Sequence, residues 1–191
     1  MSLGPRATVR IVPLRPEDSE AVQQAASLLV EGFRENSPEA WPDAGAALEE
    51  VEKSFGPERL SLVALDGAGS VLGWIGGIRQ YRGHVWELQP IVVRSDRWGQ
   101  GIGRALVDEL EAQVRDLGAE TLWLGTDDEI HQTTLSSVDL YPDPLAHAAR
   151  LRNLRGHPYE FYQRLGFVIV GVLPDANGFG KPDIFMAKRV R

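Results

Sequence analysis

Residues 87–106 read Glu87-Leu-Gln-Pro-Ile-Val-Val-Arg-Ser-Asp-Arg-Trp-Gly-Gln-Gly-Ile-Gly-Arg-Ala-Leu106. An apolar run, Ile91 to Val93, is strand-like. It passes through a short polar loop that ends in Gly99, Gly101 and Gly103, and a helical pattern begins at once. A glycine-rich turn that opens a helix presents backbone N–H groups with no intrahelical partner, and the helix dipole adds positive potential there. Such a turn is a cradle for phosphate. The plainer alternative is three glycines that only make a tight strand-to-helix turn.

Two familiar phosphate loops do not fit. A nucleotide P-loop ends in Gly-Lys-Ser/Thr, so that the lysine meets phosphate and the hydroxyl meets magnesium. Here Gly103 is followed by Arg104-Ala105. A dinucleotide fold uses G-x-G-x-x-G and an acid about 20 residues later. The spacing Gly99-x-Gly101-x-Gly103 differs from that.

Composition narrows the field. The chain has 191 residues, 43% of them hydrophobic and 25% charged, with a formal net charge of −7 and no cysteine. That length suits one domain with a real core, and the balance is ordinary for a globular protein. Disulfides, thiolate catalysis and cysteine-based metal sites are excluded, and the composition suits a cytoplasmic location. The negative charge argues against nucleic acid as a partner and would suit a cationic substrate. No apolar run approaches the roughly 20 residues that span a bilayer. Met1-Ser-Leu-Gly-Pro-Arg6 has no apolar signal core.

Periodicity and turn residues give an order of elements. A strand is expected at Val9–Leu14, a helix over Ala21–Phe33 opened by Pro16-Glu-Asp-Ser, and a second helix at about Asp43–Phe55. Leu60–Asp66 and Val71–Gln80 read as a hairpin turning at Gly67-Ala-Gly69, and Val85–Val93 as the next strand. Gly101–Leu117 is strongly helical and stops at Gly118. Thr121–Gly125 is a strand. Residues 126–156 form a polar insert with a helix over about Pro144–Asn153. Pro158–Leu165 is a helix, and Phe167–Leu173 and Ile184–Lys188 are strands around Asp175-Ala-Asn-Gly178. The expectation is one mixed α/β domain over 1–191, with its core at about 8–189. Pro90 cannot donate to a sheet ladder, so a bulge or local break is expected beside it.

The strand, the loop and this order of elements resemble the GNAT superfamily of N-acetyltransferases, whose loop pattern is Gln/Arg-x-x-Gly-x-Gly/Ala. Laid on residues 98–103, the pattern puts Trp98 where Gln or Arg is usual. Tyr159-Glu-Phe-Tyr-Gln-Arg-Leu-Gly-Phe167 resembles its "Tyr-x-x-x-Gly-Phe" helix and strand start. The resemblance implies a mixed sheet with splayed central strands and acetyl-coenzyme A as co-substrate. It implies coenzyme contacts along Ile91, Val92 and Val93, then at Trp98, Gly99, Gln100, Gly101, Ile102, Gly103 and Arg104, and at Tyr162. Of these, the Ile91 amide would polarise the acetyl carbonyl and the Val93 amide would hold pantetheine. The Tyr162 hydroxyl would face sulfur as general acid. An oxyanion donor of this kind is worth roughly 10²–10³ in rate.

A narrower resemblance covers about residues 70–188. Trp86–Val93, Leu124-Gly-Thr-Asp-Asp128, Thr133–Ser136, His157–Tyr162, Val170–Pro174, Ala176-Asn-Gly178 and Lys181–Ile184 are similar to aminoglycoside 6′-N-acetyltransferases of the chromosomal enterococcal type. That family implies transfer of acetyl to the 6′-amine of an aminoglycoside. It gives Glu87 contact with that substrate, and its members are commonly homodimers. It carries His where this chain has Gln89. Gln cannot exchange protons near neutral pH, so a base at that position is unavailable and Glu87 or water must serve.

The insert offers a further hint. Asp127, Asp128, Glu129, Asp139 and Asp143 crowd together and would attract a polycationic sugar, with Asp127, Asp128 and Asp139 as substrate contacts. A solvated loop with helix-capping acids is the alternative. His157, just before Pro158, is expected to cap the following helix, and His84 to lie exposed in a turn. No metal-type spacing is seen. Two other readings stay open from sequence: acetyl transfer to a polyamine, another amino sugar or a protein amine, and a coenzyme-A-binding sensor without turnover.

Overall fold

The computed structural model describes residues 9–191, and the N-terminal hexapeptide read for a signal core lies outside them. The chain forms two compact units, Met1–Gly118 and Ala119–Arg191.

In the first unit, β1 (Arg10–Pro13), β2 (Arg59–Leu65), β3 (Val71–Gln80) and β4 (Val85–Val93) pair antiparallel in that order. Helix α1 (Ser19–Phe33) buries Val22, Ala25, Ala26, Leu28 and Leu29, one face of the periodic pattern, against a core that includes Val63, Trp74 and Val92. Helix α2 (Ala44–Lys53) packs on α1 through Ala47 and Val51, and Asp43 caps it by accepting from the Ala46 amide at 2.9 Å. Phe33 and Trp41 meet edge to face at 4.6 Å. Trp74, fully buried, donates its indole N–H to Ser61 Oγ at 2.9 Å, which satisfies the one polar group it takes into the core.

Helix α3 (Ile102–Asp116) lies on β3 where that strand has glycines. A Cβ at Gly73 would stand 3.0 Å from Leu106 Cδ1, and one at Gly77 would stand 2.9 Å from Leu110 Cδ1. The missing side chains let the helix approach. Trp74 and Val92 pack toward α1, so α1 and α3 cover opposite faces of this sheet.

The proline break takes a definite form. Ile75 pairs with Ile91 and Gly77 with Leu88, so Gln89 and Pro90 together oppose Gly76. This is a one-residue bulge, as the proline required. A Cβ on Gly76 would collide with the Gln89 carbonyl. Because side chains alternate with period two, the extra residue reverses the facing of everything beyond it. Val92, opposite Trp74, faces α1, whereas Leu88 and Trp86 face α3. Glu87, opposite Ile78, is thereby moved to the α1 side and falls in a row with Arg59 on β2.

In the second unit, β5 (Thr121–Asp127) pairs antiparallel with β7 (Asp183–Arg189), and β7 with β6 (Val168–Leu173). Leu122, Leu124, Ile184 and Met186 are completely buried. Strand β5 runs two residues past its expected end because Thr126 and Asp127 continue the ladder against Ile184 and Asp183. Helix α4 is Pro144–Ala148, much shorter than expected. Its expected continuation is drawn instead into a bridge. Arg152 N donates to Thr134 Oγ1 at 3.0 Å, Thr134 N donates to Arg152 O at 3.1 Å, and Thr133 pairs with Asn153. Helix α5 is Tyr159–Gln163.

Candidate active site

The phosphate-cradle candidate is built from backbone. Gly99 and Gly101 have φ of +73° and +86°, a conformation that costs an L-residue roughly 1–2 kcal/mol. Gly101 is the N-cap of α3, and no side chain caps that end. The first intrahelical donor is the Ala105 amide, bonded to Gly101 O at 3.0 Å, so the amides of Ile102 and Gly103 precede it and have no intrahelical acceptor. Gly103 already belongs to the helix, so its role is not the positive φ of a turn. Before the glycines, Arg94 grips Asp96 with two parallel bonds of 2.7 and 3.0 Å. The exposed Trp98 donates its indole N–H to Val93 O at 2.8 Å. Trp98 thus ties the loop to the end of β4 instead of offering a polar side chain at the Gln/Arg position.

The register also fixes the aim of the β4 amides. Arg94 N donates to Leu72 O at 2.9 Å. Amides alternate in direction along a ladder, so the Val92 N–H points to β3, and those of Ile91 and Val93 point away from it. These are the two amides singled out for acetyl carbonyl and pantetheine.

Glu87 is half-buried. Desolvation raises its carboxyl above the usual range, against opposing effects from the Arg59 charge and a hydrogen bond donated by the Gln80 side chain. A carboxylate with a raised pKa is a better base than an exposed one. Gln89, two residues along the strand, is exposed, as is His84 in its turn.

Tyr162 lies on α5, buried, with Phe161 and Phe167 set against its ring at centroid distances of 5.1 and 5.9 Å. Burial pushes the phenol pKa far above its ordinary value of 10.0. The group keeps its proton at neutral pH, so it can donate and cannot serve as a base. Gly166, at φ +90°, ends the segment and lets the chain turn into β6.

The insert corrects one expectation. Asp128 is not a surface charge: it is wholly buried, and its carboxylate accepts from Gln132 N (2.6 Å), Thr133 N (2.8 Å) and Thr133 Oγ1 (2.8 Å). Its two oxygens hold the loop together by these three bonds, a use of an acidic side chain that spacing alone could not distinguish from a surface acid. Asp127 and Asp139 are exposed; Asp127 accepts from the Asn177 side chain at 2.5 Å, and Asp139 accepts from the Tyr141 amide at 3.0 Å. Asp143 caps α4 through the Ala146 amide at 3.2 Å. The insert is not uniformly acidic either. A shallow cleft of about 220 Å³ is lined by Thr134, Ala146, His147, Arg150 and Arg152.

Sequence reasoning underread His157. It does cap α5, since the Tyr159 amide donates to its Nδ1 at 3.1 Å, but its Nε2 also lies 3.0 Å from the Asp127 carbonyl oxygen. No local pattern signals a bond across 30 residues. Among the described residues no cluster of three or more His, Asp or Glu is placed to hold a metal ion, and no helix is long and apolar enough to cross a membrane.

A family model described as "Acetyltransferase (GNAT) family" matches residues 23–141, more than half of the chain. The chain belongs to the GNAT acetyltransferase family. Its fold is that of the family's solved members. An aminoglycoside 6′-N-acetyltransferase crystallised with coenzyme A is 44% identical, with a TM-score of 0.87 over 95% of this chain and 97% of that one. The aminoglycoside 6′-N-acetyltransferase of Enterococcus faecium is 43% identical, with a TM-score of 0.84 over the same shares. A type Ii aminoglycoside 6′-acetyltransferase is 38% identical at a TM-score of 0.72, again over 95% and 97%. No curated protein sequence matches the chain. Within this family the glycine loop before α3 and the outward amides of β4 fit acetyl-coenzyme A. Two positive-φ glycines leave the backbone bare, and the helix end carries no side-chain cap of its own.

Proposed function

We propose that this GNAT acetyltransferase moves the acetyl group of acetyl-coenzyme A to the 6′-amine of an aminoglycoside, by direct attack within a ternary complex. The observation that carries this reading is the 44% identity, at a TM-score of 0.87, to an aminoglycoside 6′-N-acetyltransferase complexed with coenzyme A, across 95% of this chain. Residues 1–191 act as one catalytic domain. In this reading the protein works in the cytoplasm and as a homodimer.

The parts divide the work as follows. The Ile102 and Gly103 amides, with Trp98, Gly99, Gln100, Gly101 and Arg104 shaping the loop, bind the coenzyme diphosphate. The Val93 amide holds pantetheine beside Val92, and the Ile91 amide donates to the thioester oxygen as it becomes an oxyanion. The amine must be neutral when it attacks. Glu87, with a raised pKa from its half-buried setting, accepts that proton directly or through water. Gln89 contributes a hydrogen bond only. As the C–S bond breaks, the Tyr162 phenol donates toward the departing sulfur. Exposed Asp127 and Asp139 attract the cationic sugar, and Asp128 acts on it only through the shape of the loop it supports.

Two substitutions test these roles. Tyr162→Phe lowers kcat by roughly 10² with little change in KM for acetyl-coenzyme A, the scale of one general acid. Glu87→Ala raises KM for the aminoglycoside far more than KM for acetyl-coenzyme A. Unchanged turnover across pH in the first variant would remove Tyr162 from the chemistry, and equal effects on both substrates in the second would make Glu87 structural.

A further inference from the structure

Between the end of β5 and the start of α5, side-chain hydrogen bonds and a short β-bridge link the segments inside the second unit. Asp128 holds Thr133, two backbone bonds (Thr134 N to Arg152 O at 3.1 Å and Leu154 N to Gln132 O at 2.8 Å) set Thr133 opposite Asn153, and Asn153 exchanges two bonds with residue 157. The His157 amide donates to Asn153 Oδ1 at 2.8 Å, and Asn153 Nδ2 donates to His157 O at 3.0 Å. The imidazole closes the circuit. It stands between an acceptor that can only accept, the Asp127 carbonyl, and a donor that can only donate, the Tyr159 amide. Those two demands select one form of the ring, neutral, with hydrogen on Nε2 and a lone pair on Nδ1. Burial at 2% exposure favours the same form by pushing the imidazole pKa down, against the pull of Asp127 and Asp128.

An α5 of five residues cannot hold its own place by helix stability. Its first turn lacks a side-chain cap from Pro158, and the imidazole supplies the missing acceptor. Three residues beyond Tyr159, on the same short helix, stands Tyr162.

We propose that His157 is the positioning residue for Tyr162, its neutral ring tying the last carbonyl of β5 to the first amide of α5 and thereby fixing where the Tyr162 hydroxyl stands. The inference rests on the reading of Tyr162 as general acid. His157 touches neither substrate. It acts through α5, so its loss should appear in turnover and not in coenzyme binding.

Two partial replacements separate its two bonds. His157→Asn places a carboxamide oxygen near Nδ1 and keeps the cap while losing the link to Asp127. His157→Gln reaches toward Asp127 and loses the cap. Both keep enough of the network to fold, which circular dichroism and thermal melting check. The full-length enzyme is assayed for thiol release from acetyl-coenzyme A with saturating aminoglycoside, in each variant alone and combined with Tyr162→Phe. The expected result is a fall of about tenfold in kcat for both His157 variants, with KM for acetyl-coenzyme A within twofold of the unsubstituted protein. In the Tyr162→Phe background the same substitutions cost nothing further, because the group they position is gone. An unchanged kcat in both variants, or a tenfold loss that persists beside Tyr162→Phe, overturns the proposal while leaving Tyr162 as the acid. A silent Tyr162→Phe removes the acid reading, and this inference with it.

Discussion

The loop at 94–105 and the segment 127–162 achieve rigidity in opposite ways. The first is made of backbone: two positive-φ glycines, an uncapped helix end and the outward amides of β4. Its side chains brace it from outside, as Trp98 does on Val93 O and Arg94 on Asp96. The second is made of side chains. Asp128, Thr133, Asn153 and His157 hold by their polar atoms a stretch with little regular structure. A backbone site tolerates a change of side chain and fails when a glycine is lost. A side-chain site fails at each member of the network. This is why Trp98 can stand at a Gln/Arg position, whereas a buried acid such as Asp128 admits no apolar substitute.

The largest effect belongs to the side-chain region. Asp128→Ala strands three donors in a buried place and should cost about 3 kcal/mol, a fall in Tm of roughly 6–12 °C. Asp128→Asn keeps one acceptor and should lose less; calorimetry of both separates charge from hydrogen bonding. If alanine were neutral, the insert would be held by something other than this carboxylate.

Next comes the backbone loop. Gly101→Val forces a β-branched residue to φ +86° and should cost about 1–2 kcal/mol, with KM for acetyl-coenzyme A raised roughly tenfold. Equal KM values would show that the loop does not meet the coenzyme.

A third effect is in pH. Burial holds the His157 imidazole below its ordinary pKa of 6.5 in the folded protein, so below about pH 6.5 the unfolded chain takes up a proton that the native ring does not. Stability should therefore fall as pH drops from about 6.5 toward the lowered pKa, and rise again toward neutrality. Urea midpoints between pH 7.5 and 5 should show a shallower slope in His157→Asn than in the unsubstituted protein. Parallel slopes would mean that the ring titrates normally.

The smallest effect is expected at Trp98. Trp98→Phe removes one exposed hydrogen bond, worth about 0.5–1 kcal/mol, and should leave KM for acetyl-coenzyme A within twofold. A larger shift would give the indole a direct part in binding.

Legibility follows the same division. Glycine positions and apolar periodicity are local, so the strand, loop and helix from Val85 to Asp116 were readable almost to the residue, with the bulge announced by Pro90. Pairing over long distance is not local. The contraction of α4 to Pro144–Ala148 depends on Thr134 reaching Arg152, and the extension of β5 to Asp127 depends on β7. A carboxylate turned inward, like Asp128, looks in sequence like one turned outward, like Asp127. Glu87 was placed on the right strand, but the bulge alone decides that it faces α1 and lies in the Arg59 row. The role proposed for Tyr162 rests on family resemblance. Its burial, and the His157 circuit beside its helix, came only from three dimensions.

The most direct measurement is thiol release from acetyl-coenzyme A, with the purified full-length protein, in the presence of kanamycin A or tobramycin, their 6′-hydroxyl relatives, or spermidine. Acetyl transfer at the 6′-amine predicts turnover with the 6′-amino compounds and none with the 6′-hydroxyl relatives or spermidine. Turnover with spermidine alone, or coenzyme binding without release on any amine, would contradict it.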